Sequence, residues 1–209
     1  SPIGLVAHGR GEAFDYLIGE RTTEYAHKAC EAAVAKLLQG NAVLSANGNV
    51  AALCPEEYVA LGEALNAPIE INLFYRTPER MKKMERAFLD AGAREVLGMR
   101  EDAEVPFLES QRRKVDSRGI YCRDTILVPL EDGDRTEFLK KMGKFVIAID
   151  LNPLSRTAQK ADITIIDNIV RAVPLMTELA KAKPSFGGFD NSESLRGSMG
   201  LMRERLQWV

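Results

Sequence analysis

The sequence has few of the residues that usually hold zinc or form disulfide bonds. It contains three cysteines, Cys30, Cys54 and Cys122, and two histidines, His8 and His27. The cysteines lie far apart and form no Cys-x-x-Cys pair, which argues against a zinc site. Because an odd, sparse cysteine count is typical of a reducing compartment, we expect a cytoplasmic protein.

Long apolar runs and an excess of one charge are also missing. The longest apolar run, 145–149, is far shorter than the roughly 20 residues of a membrane-spanning helix. The formal net charge is -2, and acidic and basic residues are interspersed. We therefore expect neither a nucleic acid nor a membrane as a partner.

What the sequence does contain is a repeated pattern of a short apolar strand followed by a helix. The 209 residues, 45% of them hydrophobic, suffice for one sizeable core, so we predict a single domain over 1–209. The predicted strands are 5–7, 42–46, 69–73, 96–99, 125–128, 145–149 and 163–166. The predicted helices are 22–38, 55–66, 78–91, 135–142, 168–181 and 193–208.

This alternation predicts an α/β fold with a doubly wound, mostly parallel sheet and helices on both faces. Three segments fall outside the pattern. Residues 47–49 are predicted to form a turn, and residues 101–118 a mobile segment with one or two helical turns. Residues 184–209 are predicted to form a C-terminal tail that contains the last helix.

The predicted strands are followed by polar, glycine-containing loops at the sheet edge where open parallel sheets bind ligands. These loops are 8–12, 47–49, 75–77, 131–136, 150–157 and 167–168. Any one of them could be a helix N-cap and nothing more. Three carry an arginine near a helix start, Arg10, Arg76 and Arg156, which suits phosphate groups. Six such loops at one edge predict one or two phosphorylated ligands.

Common nucleotide and hydrolase motifs do not account for these loops. No segment matches the phosphate-binding P-loop. Gly9 and Gly11 begin a dinucleotide fingerprint, but Phe14 occupies the third glycine position, which argues against a nicotinamide oxidoreductase. No Ser-His-Asp set is readable, and His8 could be a base or a structural residue at a strand end.

Long blocks of the sequence carry a more specific resemblance. The blocks are 4–20, 47–53, 72–77, 128–136, 143–158 and 167–172. They resemble the archaeal phosphopantothenate synthetases, also called 4-phosphopantoate–β-alanine ligases, over nearly the whole chain. The resemblance implies a Rossmann-like fold, a homodimer and a reaction of archaeal coenzyme A biosynthesis. In that reaction ATP, 4-phosphopantoate and β-alanine give 4′-phosphopantothenate, AMP and pyrophosphate, and we expect an acyl-adenylate intermediate.

The resemblance also implies which residues bind ATP. Carried over to this sequence, the family's ATP contacts fall on Arg10, Asp150, Leu151, Asn152, Arg156, Thr157, Asn168 and Ile169. The family has a further helical segment, with an arginine that contacts ATP, before the first strand. Since this chain starts at Ser1, we expect part of the nucleotide site to lie upstream.

For the acid and the amine, the candidates come from the loops themselves. Arg76 and Arg135 are candidates for the substrate phosphate, and Asn47 and Asn49 for the substrate carboxylate. Asp132 and Asp134 could hold Mg²⁺ or take the amine proton, or could form a turn with Asx-type hydrogen bonds. Mg²⁺ is expected with ATP, without an assigned protein ligand.

Two other functions stay open on the sequence alone. The first is another ATP-dependent acid–amine ligase, which would release AMP with a different amine. The second is a non-catalytic nucleotide sensor, which would bind ATP without turnover.

Overall fold

The computed structural model describes residues 11–108 and 110–207. The strands are β1 (Ala42–Ala46), β2 (Ile69–Ile71), β3 (Val96–Leu97), β4 (Ala103–Glu104), β5 (Lys114–Val115), β6 (Thr125–Pro129), β7 (Phe145–Ile149) and β8 (Ile163–Ile165). The helices are α1 (11–18), α2 (Glu24–Leu37), α3 (Gly48–Leu53), α4 (Pro55–Leu65), α5 (Pro78–Asp90), α6 (Gly133–Lys141), α7 (Arg156–Lys160), α8 (Ile169–Lys181) and α9 (Asn191–Arg205).

The main sheet of the described residues is parallel throughout and has the strand order β3-β2-β1-β6-β7-β8. Numbered within this sheet, the order is 3-2-1-4-5-6, which is that of Rossmann folds. The chain builds outward from β1 to β3 and then returns to place β6 on the other side of β1. The crevice between the carboxyl ends of β1 and β6 is therefore the topological switch point.

Side chains alternate between the two faces of the sheet and build two separate cores. In β6, Leu127 joins a core that also contains residues of α2, α4, α5 and α8. Its neighbours Ile126 and Val128 join a second core with Leu139 of α6. Both faces are thus covered, and the predicted doubly wound α/β architecture is confirmed.

The segment 101–118, called here the hairpin segment, covers part of the second face. It contains the antiparallel pair β4–β5 and a short 3₁₀ turn, Gln111–Arg113. Val105 and Val115 of this segment are buried in the second core. The prediction of one or two helical turns here was incomplete, because the antiparallel pairing depends on contacts that the charged sequence does not reveal.

A third, smaller apolar cluster lies at the carboxyl edge of the sheet. Ile18 of α1, Leu151 after β7 and Met202 of α9 are buried together in it. This cluster packs α1 and α9 against the loops that follow β7 and β8.

The predicted strands and long helices occur at their expected places, apart from strand 5–7, which lies outside the described residues. The sequence missed two short helices, α3 and α7, which begin within a predicted turn and a predicted loop, while the N-cap alternative left open for such loops is confirmed. Asn47, expected in a turn, caps α3 by accepting the N–H groups of Asn49 and Val50. Ser155, expected in a loop, caps α7. Asn and Ser suit a helix N-cap as well as a turn, so composition alone could not separate the two.

None of the helices in the described part of the chain is both long and apolar enough to cross a membrane.

Candidate nucleotide and acid site

The loop after β7 is folded by its own side chains. Asp150 accepts the backbone N–H of Asn152 at 2.9 Å and the hydroxyl of Ser155 at 2.5 Å. The Ser155 hydroxyl oxygen accepts the N–H of Ala158 and so caps α7. Burial raises the pKa of Asp150, against the opposing effect of the hydroxyl and N–H donors. The loop is therefore fixed internally, without a ligand.

Arg156 and Thr157 join this loop to the start of α6. The Arg156 guanidinium pairs with Asp134, and both side chains are more than half exposed. The Thr157 hydroxyl donates to the Glu131 carbonyl at 2.8 Å. A Cβ on Gly133 would lie 2.6 Å from both Cβ and Nε of Arg156, so glycine is needed for this close approach.

The loop after β8 is tied to α1 by charged groups. Asp167 is fully buried and accepts the Thr22 hydroxyl at 2.5 Å and Nε of Arg171 at 2.9 Å. Arg171 also donates to Asp15 of α1, which accepts the side-chain amide of Asn168 at 2.9 Å. Burial raises the pKa of Asp167, although the Thr22 and Arg171 hydrogen bonds oppose this. The start of α8 is thereby held by α1.

For three of the residues predicted to contact ATP, Arg10, Leu151 and Ile169, the structure describes no polar side chain at the site. Arg10 lies outside the described residues. The side chains of Leu151 and Ile169 are buried in apolar clusters. At these two positions the backbone, not the side chain, is what a nucleotide could contact.

The Asn47 side chain links the loops that follow β1 and β6 at the switch point. Its side-chain amide donates to the carbonyls of Pro129 and Leu130 at 3.0 and 3.1 Å. Its Oδ1 accepts the N–H groups of Asn49 and Val50 at 2.9 and 3.3 Å. These four hydrogen bonds use the full capacity of a side-chain amide. Direct contact with a substrate from this loop therefore falls to Asn49 or to the backbone.

The first turn of α6 carries a buried group of charges. Asp132 accepts the Arg135 N–H at 2.9 Å as the N-cap and also pairs with Arg112. The Arg135 guanidinium is fully buried and donates to Glu131 at 2.5 Å and to the Ser45 hydroxyl at 3.0 Å. Arg112 pairs with Glu131 as well. One buried carboxylate thus lies between two arginines at the switch point.

Arg76 lies farther along the carboxyl edge, in the loop after β2. Its Nε donates to Glu101 at 2.8 Å, and its guanidinium also reaches the Gly98 carbonyl. A cavity of about 270 Å³ lies beside it, with Lys82 and Lys114 in its wall. The structure therefore places Arg76 with the loop after β3, whereas Arg135 lies at the switch point.

Four charged residues of this edge were not among the predicted site residues: Asp15, Arg112, Glu131 and Arg171. The pairs Glu131–Arg135 and Asp167–Arg171 are four positions apart at helix starts, a spacing that could have revealed them. The sequence around Arg112 does not mark it as a site residue, because its partners lie in another loop.

The described carboxylates at this edge do not form a group that could hold a metal ion by itself. Among residues 11–108 and 110–207, no group of three or more His, Cys, Asp or Glu side chains is arranged to hold a metal ion. Asp132 and Asp134 are each paired with an arginine. Such single carboxylates fit a Mg²⁺ that is held mainly by phosphate oxygens and waters.

A larger cavity, about 680 Å³, lies at the opposite edge of the sheet. Its wall includes Pro68 and Glu95, which directly precede β2 and β3, and Arg123, which lies close before β6. Ligands of doubly wound sheets bind at the carboxyl ends of the strands. The convergent polar loops, and not this cavity, are therefore the candidate functional site.

Glu70 is a fully buried carboxylate in the middle of β2. Its oxygens accept the N–H groups of Asp116 at 3.0 Å and Ile120 at 2.5 Å, which fastens the end of the hairpin segment to the sheet. Burial raises the pKa of Glu70 to about 7, outweighing the two N–H donors and the charge of Arg135; nearby Asp116 raises it further. In the sequence, Glu70 is recognisable only as a polar residue that interrupts an apolar strand.

This raised pKa predicts that the free energy of unfolding falls by about 3 kcal/mol as the pH rises from 4.5 to about 7. The folded protein keeps most of the Glu70 proton across that range and the unfolded chain loses it, so the contribution of Glu70 to stability is largest below pH 4.5. Urea denaturation of the wild type and Glu70→Gln over this range would measure the difference. The contributions of the other titrating groups are common to both proteins and therefore cancel in the difference between the two pH profiles.

The matched control is Glu63→Gln, which changes an exposed glutamate on α4. Its pH profile should follow that of the wild type. Parallel profiles for the wild type and Glu70→Gln would contradict the prediction.

Comparison with known proteins shows which family the chain is similar to. The family model described as phosphopantothenate/pantothenate synthetase matches residues 25–204. Three curated relatives, each named 4-phosphopantoate–β-alanine ligase, are similar over most of the chain. They come from Thermococcus onnurineus (55% identical, over 97% of this chain and 82% of the relative), Thermococcus kodakarensis (54%, 97% and 82%) and Methanosarcina mazei (48%, 98% and 84%).

These matches confirm the resemblance that the sequence blocks predicted. A ligase of this kind requires a nucleotide co-substrate and small-molecule substrates. With most of its length matched by the family model and by relatives about half identical to it, the chain belongs to the phosphopantothenate/pantothenate synthetase family and is an enzyme.

Proposed function

We propose that the protein condenses 4-phosphopantoate with β-alanine in an ATP-dependent reaction of coenzyme A biosynthesis. The products are 4′-phosphopantothenate, AMP and pyrophosphate. The observation that carries this proposal is the fixed junction of the loops after β6 and β7 at the carboxyl edge, with Arg156 exposed beside it. The names of the relatives supply the acid and the amine.

ATP is assigned to the loops after β7 and β8. The assigned residues are Arg10, Asp150, Leu151, Asn152, Arg156, Thr157, Asn168 and Ile169. Arg156 is suited to a phosphate, because its pairing with Asp134 is exposed and such a pair contributes only about 0–1 kcal/mol. A triphosphate can displace that carboxylate. The N–H groups at the start of α8 favour negative charge as well.

Amide formation requires an activated acid. A carboxylate oxygen of 4-phosphopantoate attacks the α-phosphorus of ATP, and pyrophosphate leaves with the electrons of the broken P–O bond. The β-alanine nitrogen then attacks the acyl carbon, the bond to AMP breaks, and the nitrogen loses a proton. The protein positions the reactants and neutralises charge. Asp132 and Asp134, at the start of α6, are the candidates for taking the proton.

The acid is assigned to the part of the edge between β2 and α6. Arg76 and Arg135 remain the candidates for its phosphate, since each keeps a buried guanidinium N–H without a partner in the described residues. Asn49 is favoured over Asn47 for the carboxylate, because the Asn47 side chain is already fully hydrogen-bonded. Asp132 or Asp134 would be the single protein ligand of a Mg²⁺ that comes with ATP, and the ion would neutralise phosphate charge.

Product analysis tests this function directly. The protein is incubated with ATP, Mg²⁺, 4-phosphopantoate and β-alanine, and nucleotides and acids are separated by chromatography. AMP and 4′-phosphopantothenate should form in equal amounts, and omission of β-alanine should prevent amide formation. Release of ADP in place of AMP, or equal turnover with glycine, would contradict the proposal.

Arg156→Ala is expected to weaken ATP binding by about 10- to 100-fold, since hydrogen bonds to charged groups contribute roughly 1.5–3 kcal/mol. Stability should hardly change, because the ion pair that the side chain makes among the described residues is exposed. Titration calorimetry with ATP measures the first effect and thermal unfolding the second. The control is Arg86→Ala, which removes another exposed ion pair, with Asp90 on α5. Unchanged ATP affinity in Arg156→Ala would remove this loop from the nucleotide site.

A homodimer is also proposed, on the basis of the family resemblance. Sedimentation velocity of the purified protein would measure its mass in solution, and a monomer at micromolar concentration would contradict this.

A further inference from the structure

Unpaired buried polar atoms lie along the carboxyl edge, from Arg76 in the loop after β2 to Arg135 at the switch point. Within the described residues, five buried side-chain nitrogen or oxygen atoms lack a hydrogen-bond partner: Asn72 Oδ1, Arg76 Nη1, Arg112 Nε, Arg135 Nε and Arg135 Nη2. Four of the five are guanidinium donors. A buried donor without a partner costs about 1–3 kcal/mol, so native proteins rarely keep several together. The oxygens of an anion would satisfy such guanidinium N–H groups.

Arg112 is the member of this set that the sequence did not predict. Neighbouring elements contact both its backbone and its side chain. Asn72, at the end of β2, donates to the carbonyls of Arg112 and Lys114, both at 3.1 Å. The guanidinium carbon of Arg112 lies 5.6 Å from the centre of the Phe74 ring. These contacts fix the 3₁₀ turn of the hairpin segment over the ends of β2 and β6.

The Arg112 guanidinium is only partly used. One terminal nitrogen, Nη1, pairs with Glu131 and Asp132, while the buried Nε has no partner in the described residues. Neighbouring N–H groups of a guanidinium match two oxygens of a phosphate. Glu131 keeps Arg135 as a second partner, and Asp132 is partly exposed, so a phosphate can take their place on Arg112.

The position of Arg112 favours the phosphate over the carboxylate of the acid substrate. The first turn of α6 separates two arginines, with Asp132 paired to Arg112 and Asp134 paired to Arg156. Arg156 belongs to the proposed nucleotide loop, so the carboxylate that attacks ATP must lie on that side. The phosphate, at the other end of the acid, then lies on the side of Arg112.

We propose that Arg112 binds the phosphate of the phosphorylated acid substrate and thereby selects it over the unphosphorylated acid. The inference rests on the proposed function, because it takes the acid from there. It adds a residue from a segment that was expected only to be mobile, and it gives the hairpin segment a role in substrate choice.

Calorimetric titration of Arg112→Gln and the wild type with 4-phosphopantoate, pantoate and ATP tests this inference. The variant should bind 4-phosphopantoate about 10- to 100-fold more weakly, the range for a hydrogen-bonded charge pair. Affinity for pantoate, which lacks the phosphate, and for ATP should change by less than about threefold. The control is Arg113→Gln on the same turn, which removes an exposed pair with Glu104.

Equal losses for 4-phosphopantoate and pantoate, or no loss for either, would overturn the inference. Should Arg112→Gln not fold, Arg112→Lys keeps the charge for Glu131 but lacks the paired N–H groups, and it should still lose discrimination between the two acids several-fold. If the wild type forms no amide from 4-phosphopantoate, the proposed function fails. If it does and Arg112→Gln still binds as the wild type, only the role of Arg112 fails.

Discussion

Arg171→Ala is expected to lower the free energy of unfolding by about 3–5 kcal/mol, the usual loss when one partner of a buried ion pair is removed. Arg171 is the common partner of two buried carboxylates, Asp15 and Asp167. Without it, the partners that Asp167 keeps among the described residues are the Thr22 hydroxyl and the N–H of Asn168. Its pKa, already raised by burial, should rise further.

The same substitution should weaken ATP binding, because Asp15 also holds the side-chain amide of Asn168 at the start of α8. Urea denaturation measures the stability and calorimetry the ATP affinity. Arg171→Lys keeps the charge and should lose less. Adding Asp15→Asn to Arg171→Ala should restore part of the lost stability by removing one unpaired charge. A loss below about 1 kcal/mol in Arg171→Ala, as for an exposed pair, would contradict the prediction.

Periodicity and turn chemistry predicted the frame of the fold from the sequence. The apolar runs 42–46 and 145–149 are β1 and β7, because continuous apolar strands suit a sheet covered on both faces. Pro55 and Pro78 begin α4 and α5, as their missing N–H allows. The residues directly after the strands then followed from the rule for parallel sheets.

The contacts between those loops could not be predicted in the same way. Asp15 and Asn168 are hydrogen-bonded although 153 positions apart, and Arg112 and Asp132 are 20 positions apart. No spacing rule connects such residues, because the fold and not the local chain brings them together. Asn47 shows the converse case: the sequence placed it in a loop at the carboxyl edge of the sheet, but its side chain is committed to the backbone.

Gly119→Ala is expected to destabilise the protein by about 3–5 kcal/mol, from overpacking together with lost buried hydrogen bonds. A Cβ on Gly119 would lie 1.9 Å from Oε2 of Glu70 and 3.3 Å from Cδ1 of Leu97. Glu70 cannot move away without releasing the N–H groups of Asp116 and Ile120, which are both buried. The hairpin segment would lose its attachment to β2.

The matched control for this substitution is Gly200→Ala in α9, where the added Cβ meets no atom of the described residues within 4 Å. It should stabilise the protein by about 0.5–1 kcal/mol, the difference between alanine and glycine inside a helix. Urea denaturation measures both variants. Because Glu70 is the group that the new methyl strikes, Gly119→Ala should be much less harmful when Glu70 is also changed to alanine. Additive losses in that double variant would mean that the close contact between Gly119 and Glu70 is not the cause.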